Sequence, residues 1–402
     1  MASYNSLDFY FDLFERGKFP PVVDDVYYSC DNSEMIRPNN SHSLTNSDVN
    51  GWFYLNNVPD YLNLTLKPDY KSKTFQIAQG FIADLTGYSD ISNYLRNNLR
   101  PRLRTAVKSN IRRLELCFNI TYHVYYGEIS QEQYDSLMNN LYKFILRRFD
   151  ELKEENERIN EWERFYNLFL PLIRDKKASL FVIYDDGVPI NISLNYHYDK
   201  VLFYAIPGFD IDYSKFGLGH IMLYKQIEWC IENNYKHFDM SMGDLDYKRQ
   251  WCTNEYYLER HLIFQPKSIP QAIGVLKEEY IAKLKVYLQS KNIHLVYHSL
   301  IKLFNGTQEI SEKEINTELR ATKAYTTLLE IVDLENYAQY KIDFKNKKYS
   351  FLLRQLYDYL FTQQLPIDSI TVYEIKPHED YIIQTPQLCS RLYYQATEAS
   401  RQ

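Results

Sequence analysis

Residues 201–220 read VLFYAIPGFDIDYSKFGLGH and decide the fold of the central part of the chain. The run Val201–Ile206 is short, apolar and rich in aromatic and β-branched residues, which predicts a strand. A loop follows as far as Phe216, and the apolar residues after Gly217 recur at helical spacing, which predicts a helix from about Leu218 to Asn233. The stretch therefore predicts a strand, a loop and a helix that opens on a Gly-x-Gly turn.

Strand patterns lie on both sides of this stretch. Ser179–Tyr184 and Val188–Tyr198 are β-prone runs, and Asp185-Asp186-Gly187 between them is a turn signal. Downstream, the pattern predicts a short strand at His237–Met240 and another near Tyr257–Phe264. The order strand-strand-strand-helix-strand-loop-strand predicts a mixed α/β fold.

Two amphipathic helices are predicted before these strands. Pro101 suits the first turn of a helix, and apolar residues recur at helical spacing from there to Phe118. Ser130 and Gln133 form a capping-box pattern at the start of the second helix. We expect the two helices to pack on each other and to flank the sheet.

Changes in composition divide the chain into four predicted regions. Residues 1–50 are rich in Asn, Ser and Asp, which predicts an irregular lead-in with a loop at Arg37–Ser43. We expect residues 51–165 to form an N-terminal α/β unit and residues 166–305 to form the central α/β domain. We expect residues 306–402 to form a C-terminal accessory α+β region with one clear helix and one strand. The sequence assigns no function to this region.

Bulk properties exclude several classes of protein. The 402 residues carry a net charge of −6 and the sequence pI is about 5.9, so net charge does not favour binding to polyanions. The sequence contains neither an apolar run long enough to cross a membrane nor a signal-peptide pattern. It therefore predicts a cytoplasmic protein without a membrane span. The five cysteines are scattered without a CxxC pair, so we expect neither a disulfide framework nor a bound metal.

The segment Gly217-Leu218-Gly219-His220 carries the first chemical signal. Glycines let the backbone approach a ligand closely. The unpaired N–H groups of a first helical turn, at the positive end of the helix dipole, suit a diphosphate. A short Gly-x-Gly before a helix also serves as a capping or packing device, so the pattern alone leaves both interpretations open.

Several stretches of the chain resemble one family. They are Phe203–Pro207, Ser214–Gly219, Phe238–Asp244 with Tyr247-Lys248 after it, and the upstream run from Tyr94 to Leu114. Together, over roughly residues 75–265, they resemble the CelD/BioF2-like branch of the GNAT acyltransferases, and more distantly the FemABX-like proteins. The resemblance implies a GNAT-like mixed sheet flanked by helices. It also allows tandem GNAT units, with residues 51–165 as a degenerate copy.

The resemblance also implies acetyl-CoA or another acyl-CoA as the donor. Its pantetheine arm would lie between two strands that splay apart, and its pyrophosphate would meet the N–H groups of the helix entrance. The residues implied in donor binding are Phe203, Tyr204, Ala205, Ile206, Lys215, Phe216, Gly217, Leu218, Gly219 and His220. Two positions depart from the family pattern, because Phe216 stands where proline is usual and Ser214 where arginine or glutamine is usual.

Four side chains are candidates for catalysis, namely Asp239, Asp244, Tyr247 and Lys248. Asp239 ends a predicted strand, and it either accepts the amine proton or caps the following turn. Asp244, together with Asp246, either binds a cationic acceptor or is simply solvated. The Tyr247 phenol either protonates the leaving thiolate or packs, and Lys248 pairs with an aspartate or a phosphate.

A basic run gives the strongest charge asymmetry in the chain. It consists of Arg96, Arg100, Arg102, Arg104, Lys108, Arg112 and Arg113, with no acidic residue before Glu115. Its presence predicts either a solvated helix face or a surface that meets a CoA phosphate, a nucleotide-linked sugar or tRNA.

The predicted function is transfer of an acyl group from acyl-CoA to an amine by direct attack, without a covalent enzyme intermediate. The acceptor would be a small molecule, and the resemblance suggests an amino sugar or another cell-envelope precursor. Two alternatives stay open. One is FemABX-like aminoacyl transfer from aminoacyl-tRNA, and the other is a non-catalytic binding protein with the GNAT shape.

Overall fold

The computed structural model describes residues 5–28, 31–36, 53–152, 157–243, 246–265, 325–326, 339–375, 380–386 and 389–394. The chain separates into two compact units. The smaller unit comprises residues 1–80, 242–244 and 255–320, and the larger comprises residues 81–241, 245–254 and 321–402. The boundary predicted between residues 165 and 166 falls inside the larger unit, and the four-region division of the sequence stays a prediction.

The described strands are β1 (Asn5–Asp8), β2 (Val23–Tyr28), β3 (Asp31–Ile36), β4 (Phe53–Pro59), β5 (Leu62–Leu66), β6 (Lys71–Asp84), β7 (Ile120–Tyr125), β8 (Ala178–Asp185), β9 (Val188–Tyr198), β10 (Val201–Phe209), β11 (His237–Met242), β12 (Asn254–Phe264), β13 (Tyr325–Thr326), β14 (Gln339–Ile342), β15 (Thr371–Ile375), β16 (Asp380–Gln384) and β17 (Cys389–Tyr394). The described α-helices are α1 (Phe9–Phe14), α2 (Ile91–Asn98), α3 (Pro101–Cys117), α4 (Gln131–Leu152), α5 (Glu157–Asn160), α6 (Trp162–Arg174), α7 (Leu218–Glu232), α8 (Asp246–Trp251) and α9 (Leu353–Gln363). Short 3-10 helices lie at Ile211–Phe216, Lys347–Leu352 and Ile367–Ser369.

The smaller unit contains regular structure where the sequence predicted an irregular lead-in, so that prediction is wrong for residues 5–28. β1 pairs in parallel with β4, and β2 lies between β3 and β5. Phe9 and Leu13 of α1 are buried, and so are Val26 and Tyr28 of β2. These elements are four to six residues long, which is too short for their periodicity to stand out in the sequence. The loop predicted at 37–43 lies outside the described residues.

The larger unit is built on a sheet with the strand order β11-β10-β9-β8-β7. Its neighbouring strands are antiparallel except for β10 and β11, which are parallel because α7 crosses over between them. All of the strands predicted between residues 179 and 240 are present. The predicted mixed α/β fold is therefore confirmed.

Helices cover both faces of this sheet. Successive residues of a strand point to opposite faces, and β9 shows both sides. The ring of His197 packs against Trp229 of α7 at 5.7 Å, whereas the ring of Tyr196 packs against Phe169 of α6 at 4.6 Å. The helix α7 thus lies on the face opposite to α6, over the strands that lead to the candidate site.

Two local sequence signals, a hairpin turn and a capping box, are confirmed in the larger unit. Asp186 and Gly187 both have positive φ, at 48° and 78°, as a tight hairpin turn between β8 and β9 requires. At the start of α4, the Ser130 backbone N–H donates to Gln133 Oε1 at 3.0 Å, and the Gln133 N–H donates to Ser130 Oγ at 3.1 Å. This is the reciprocal capping box that the sequence predicted.

The described C-terminal residues belong to the larger unit. The strands β14 to β17 form an antiparallel sheet, and α9 packs on the 3-10 helix at Ile211–Phe216. In that interface the Tyr357 ring lies 4.5 Å from the Tyr213 ring. The region that the sequence left without a function therefore lies next to the segment before Gly217.

Candidate functional site

The parallel pairing of β10 and β11 covers only three residue pairs. They are Val201 with His237, Leu202 with Phe238, and Phe203 with Asp239. Both strands continue beyond these pairs, to Phe209 and Met242. On its other side, β10 shifts register against β9 between Tyr204 and Ile206. The parallel ladder thus ends at Phe203 and Asp239, beside the bulge. The resemblance implied a splay near Phe203–Ile206 and His237–Met240, and a donor arm between the strands there stays a prediction.

A glycine turn leads from β10 into α7. Gly217 has φ of +68°, in the left-handed region that glycine adopts without strain, and it is the N-cap of α7. A side chain here would also meet Asn110, whose Nδ2 lies 3.0 Å from where a Cβ would stand. The Asn191 side chain of β9 donates to the Leu218 carbonyl at 2.9 Å, which fixes the first turn of α7 on the sheet.

The first turn of α7 has two backbone donors without acceptors among the described residues and an open space beside Gly219. The N–H groups of Leu218 and Gly219 have no acceptor among the described residues, as expected for the start of a helix. A Cβ built on Gly219 would meet no atom within 4 Å. The entrance is therefore not plugged by a side chain at this position, and the donors can receive an anionic group.

Phe216 and Lys215 face away from this entrance. The Phe216 side chain is fully buried and packs on the ring of Phe118 at 5.3 Å. The Lys215 ammonium donates to Thr362 Oγ1 at 3.0 Å and to the Asp358 carbonyl at 3.4 Å, both on α9. Both residues were predicted to bind the donor, and in the structure their contacts are with buried core and with α9.

His220 is held by a tryptophan that the sequence reading did not single out for a role in the site. The indole N–H of Trp251 donates to His220 Nδ1 at 2.9 Å, and the two rings stack with centroids 6.1 Å apart. Trp251 is fully buried, and its carbonyl accepts a hydrogen bond from the Tyr94 hydroxyl. Burial lowers the pKa of His220 below its usual value.

Asp239 is fully buried at the point where the strands separate. Its Oδ1 accepts a hydrogen bond from the Ser241 backbone N–H at 2.7 Å, and Ser241 has φ of +66°. The turn-capping role that the sequence allowed for Asp239 is thus observed. A role of Asp239 in proton transfer stays a prediction.

The remaining candidates lie on or near α8. Lys248 is buried with 6% of its surface exposed, Tyr247 is half-buried, and Asp246 is exposed. Asp244 lies outside the described residues. The structure therefore places Tyr247 and Lys248 on the same short helix as Trp251, and the catalytic roles of all four candidates stay predictions.

Sequence reasoning missed several residues that shape the site. Asn110, Asn191 and Trp251 contact the entrance, and only Asn191 had a readable signal. It begins a row of polar residues at every second position of β9, which continues through Ser193, Asn195 and His197 and is buried throughout. A buried polar face on an otherwise apolar strand is unusual enough to mark a site.

Comparison with known proteins supports the family resemblance. The family model described as "Acetyltransferase (GNAT) domain" matches residues 101–249. The chain thus carries a GNAT domain, and the predicted GNAT-like fold and transferase class are confirmed at that level. The narrower CelD/BioF2-like resemblance stays a prediction. No curated protein matches the sequence.

Solved structures resemble the chain only distantly. FemX is 11% identical with a TM-score of 0.39, over 53% of this chain and 72% of that one. L-PGS from Bacillus licheniformis is 14% identical with a TM-score of 0.35, over 52% of this chain and 66% of that one. A tandem GNAT protein from the clavulanic acid biosynthesis pathway is 8% identical with a TM-score of 0.28, over 49% of this chain and 57% of that one. At TM-scores this low, the likenesses carry no argument about donor or acceptor.

Within the described ranges, no helix combines the length and apolar character that crossing a bilayer requires. The same residues also bring together no group of three or more His, Cys, Asp or Glu side chains that could hold a metal ion.

Proposed function

We propose that this chain transfers an acyl group from an acyl-CoA donor to a small-molecule amine, by direct attack within a ternary complex. One observation carries the proposal. The β10–β11 ladder ends at Phe203 and Asp239, and the same β10 leads through Gly217 into α7, where the first two N–H groups have no acceptor among the described residues and the space beside Gly219 is open. A separated pair of strands can take an extended amide-bearing arm, and the helix start can take its diphosphate.

The entrance fits the chemistry of a diphosphate. The N–H groups of Leu218 and Gly219 are the donors, and the positive end of the α7 dipole favours negative charge there. Gly219 leaves room for the ligand to approach the backbone. The Lys215 ammonium interacts with α9, so in this proposal the backbone, rather than that lysine, holds the diphosphate.

The bound donor would supply a thioester carbonyl to the site. In this proposal Asp239 takes the proton that the amine loses as its nitrogen bonds to that carbon, and Tyr247 gives a proton to the sulfur as the C–S bond breaks. One proton leaves the nitrogen and one reaches the sulfur, so the transfer balances without a covalent enzyme intermediate. Asp244 is proposed to bind the acceptor and Lys248 to pair with an aspartate or a phosphate, and an amino sugar is the first acceptor class to test.

Isothermal titration with acetyl-CoA tests donor binding directly. We expect the wild type to bind and Gly219→Glu to lose binding, because a carboxylate would occupy the space that the diphosphate needs. Thr105→Glu is the matched control, since Thr105 is exposed on α3 and the change adds the same charge elsewhere. A wild type that fails to bind at millimolar acetyl-CoA would contradict the proposal.

A second candidate function is aminoacyl transfer from aminoacyl-tRNA, and one observation favours it. Arg100, Lys108 and Arg112 are exposed, and no ion pair is found for them within the described part of the chain. Such a face can meet phosphates. This candidate predicts tRNA binding that weakens steeply with salt and is lost in Arg112→Glu but kept in Lys347→Glu, whose charge change lies on another exposed residue.

A further inference from the structure

The contact between His220 and Trp251 fixes the position of a proton. An indole N–H can only donate, so His220 Nδ1, at 2.9 Å from it, must accept. The ring proton of the neutral imidazole then lies on Nε2. Because Trp251 is fully buried and its carbonyl is anchored by Tyr94, this arrangement is set before any ligand binds.

The Nε2 atom points away from the tryptophan and remains available. It has no hydrogen-bond partner within the part of the chain that the structure describes, and it is not among the buried atoms that lack one. Solvent therefore reaches Nε2 while Nδ1 is occupied. A half-buried imidazole with a lowered pKa stays neutral near pH 7, so it offers one fixed N–H rather than a titrating charge.

His220 stands in the same helical turn as the open backbone donors. It is the third residue of α7, after Leu218 and Gly219, and side chains on a helix lean toward its N-terminus. A ligand group held by those two N–H groups would therefore lie within the reach of a side chain that starts one residue later.

We propose that His220, held by Trp251 as the Nε2–H tautomer, donates a hydrogen bond to the diphosphate of the acyl donor, with Trp251 as its positioning residue. This inference rests on the proposed acyl-CoA function and adds a side-chain donor to the site. It also assigns a role to α8, because Trp251 ends that helix.

Two substitutions of His220 distinguish the role of Nε2 from that of Nδ1. In His220→Gln the side-chain amide N–H can stand near the place of Nε2, whereas in His220→Asn the amide reaches only the place of Nδ1. We expect acetyl-CoA affinity, measured by isothermal titration, to stay within about threefold of wild type for His220→Gln. We expect a loss of about tenfold or more for His220→Asn, the size usual for a hydrogen bond to a charged group.

Two further measurements exclude a purely structural role. Long-range ¹⁵N–¹H NMR spectra of histidine-labelled protein should show His220 as the Nε2–H tautomer in the wild type and as a mixture in Trp251→Phe, which removes the indole donor. S-acetylpantetheine lacks the diphosphate, so its KM should not differ between the Gln and Asn variants.

The outcomes are distinguishable. A wild type that binds no acyl-CoA would overturn the proposed function, and this inference with it. A wild type that binds acetyl-CoA while the Gln and Asn variants bind equally well would overturn the inference alone. So would a spectrum with the His220 proton on Nδ1, and this measurement needs neither a variant nor a ligand.

Discussion

The rings of Phe216 and Phe361 pack edge to face, with centroids 5.1 Å apart and planes at 89°. Phe216 precedes the glycine turn into α7, and Phe361 belongs to α9. The two residues are 145 positions apart in the sequence. Phe361 also lies under two cations, with Arg113 Cζ at 4.5 Å and Lys215 Nζ at 5.9 Å from its ring centre. The C-terminal helix thus braces the segment that sets the candidate helix entrance.

Replacing Phe361 with alanine should loosen this brace. We expect the free energy of unfolding to fall by about 2 kcal/mol, less than for a fully buried phenylalanine, because Phe361 is only half-buried. Urea denaturation measures the change, and acetyl-CoA affinity should fall with it. Tyr340→Ala is the control, since Tyr340 is 53% exposed and should cost less than about 0.5 kcal/mol. Equal effects of the two changes would show that α9 does not brace the site.

The capping and proton-transfer roles of Asp239 can be separated by Asp239→Asn. Asparagine keeps an oxygen that can accept the Ser241 N–H, so the fold should hold, but it cannot take a proton. We expect kcat to fall by about 100-fold or more, with acetyl-CoA affinity unchanged. Steady-state kinetics beside thermal unfolding check both parts. A variant that keeps full activity would leave Asp239 with the capping role alone.

Gln226 on α7 should limit the stability of the fold. It is fully buried, and both Oε1 and Nε2 lack a hydrogen-bond partner within the described residues. Leucine has a similar size and no polar atoms, so Gln226→Leu should raise the free energy of unfolding by about 1–3 kcal/mol. Gln133→Leu is the contrasting change, because it removes a capping-box partner and should destabilise. A lower melting temperature for Gln226→Leu would mean that the amide has a partner in solution.

The stability of the 3-10 helix before α7 should respond to pH through Asp212. Burial, followed by the charge of Asp210, raises the pKa of Asp212 from 3.8 to about 6, although Arg147 opposes this by bonding both carboxylates. A carboxyl group whose pKa is higher in the folded chain binds its proton more tightly there. Its contribution to stability is therefore present at low pH, falls as the pH rises from about 4 to about 6, and then levels off.

Asp212→Asn should remove this contribution. The difference in unfolding free energy between the variant and the wild type should grow between about pH 4 and pH 6 and stay constant above, as measured by urea titrations across that range. The wild type and the variant share all other titrating groups, so the difference reports on Asp212 together with its interaction with Asp210 and Arg147. A difference that does not change with pH would show that Asp212 ionises at its ordinary value.

Local patterns in the sequence predicted much of the larger unit. The turn at Asp186-Gly187, the capping box at Ser130 and the opening of α7 after Gly217 each depend on residues within a few positions of one another. Backbone conformation and hydrophobic periodicity are properties of such short stretches, so they can be read without the fold. The short elements in residues 5–28 were not predicted, because four to six residues do not establish a hydrophobic period.

The amino-acid sequence by itself determined the order of strands and helix between residues 179 and 240 and the glycine entrance to α7. Only the tertiary structure decided that Lys215 is held by Thr362 and that His220 is held by Trp251. These partners lie far apart along the chain, and no periodicity links them. Their pairing depends on how the helices pack against one another, because a side chain's partner is set by three-dimensional proximity rather than by its neighbours in sequence.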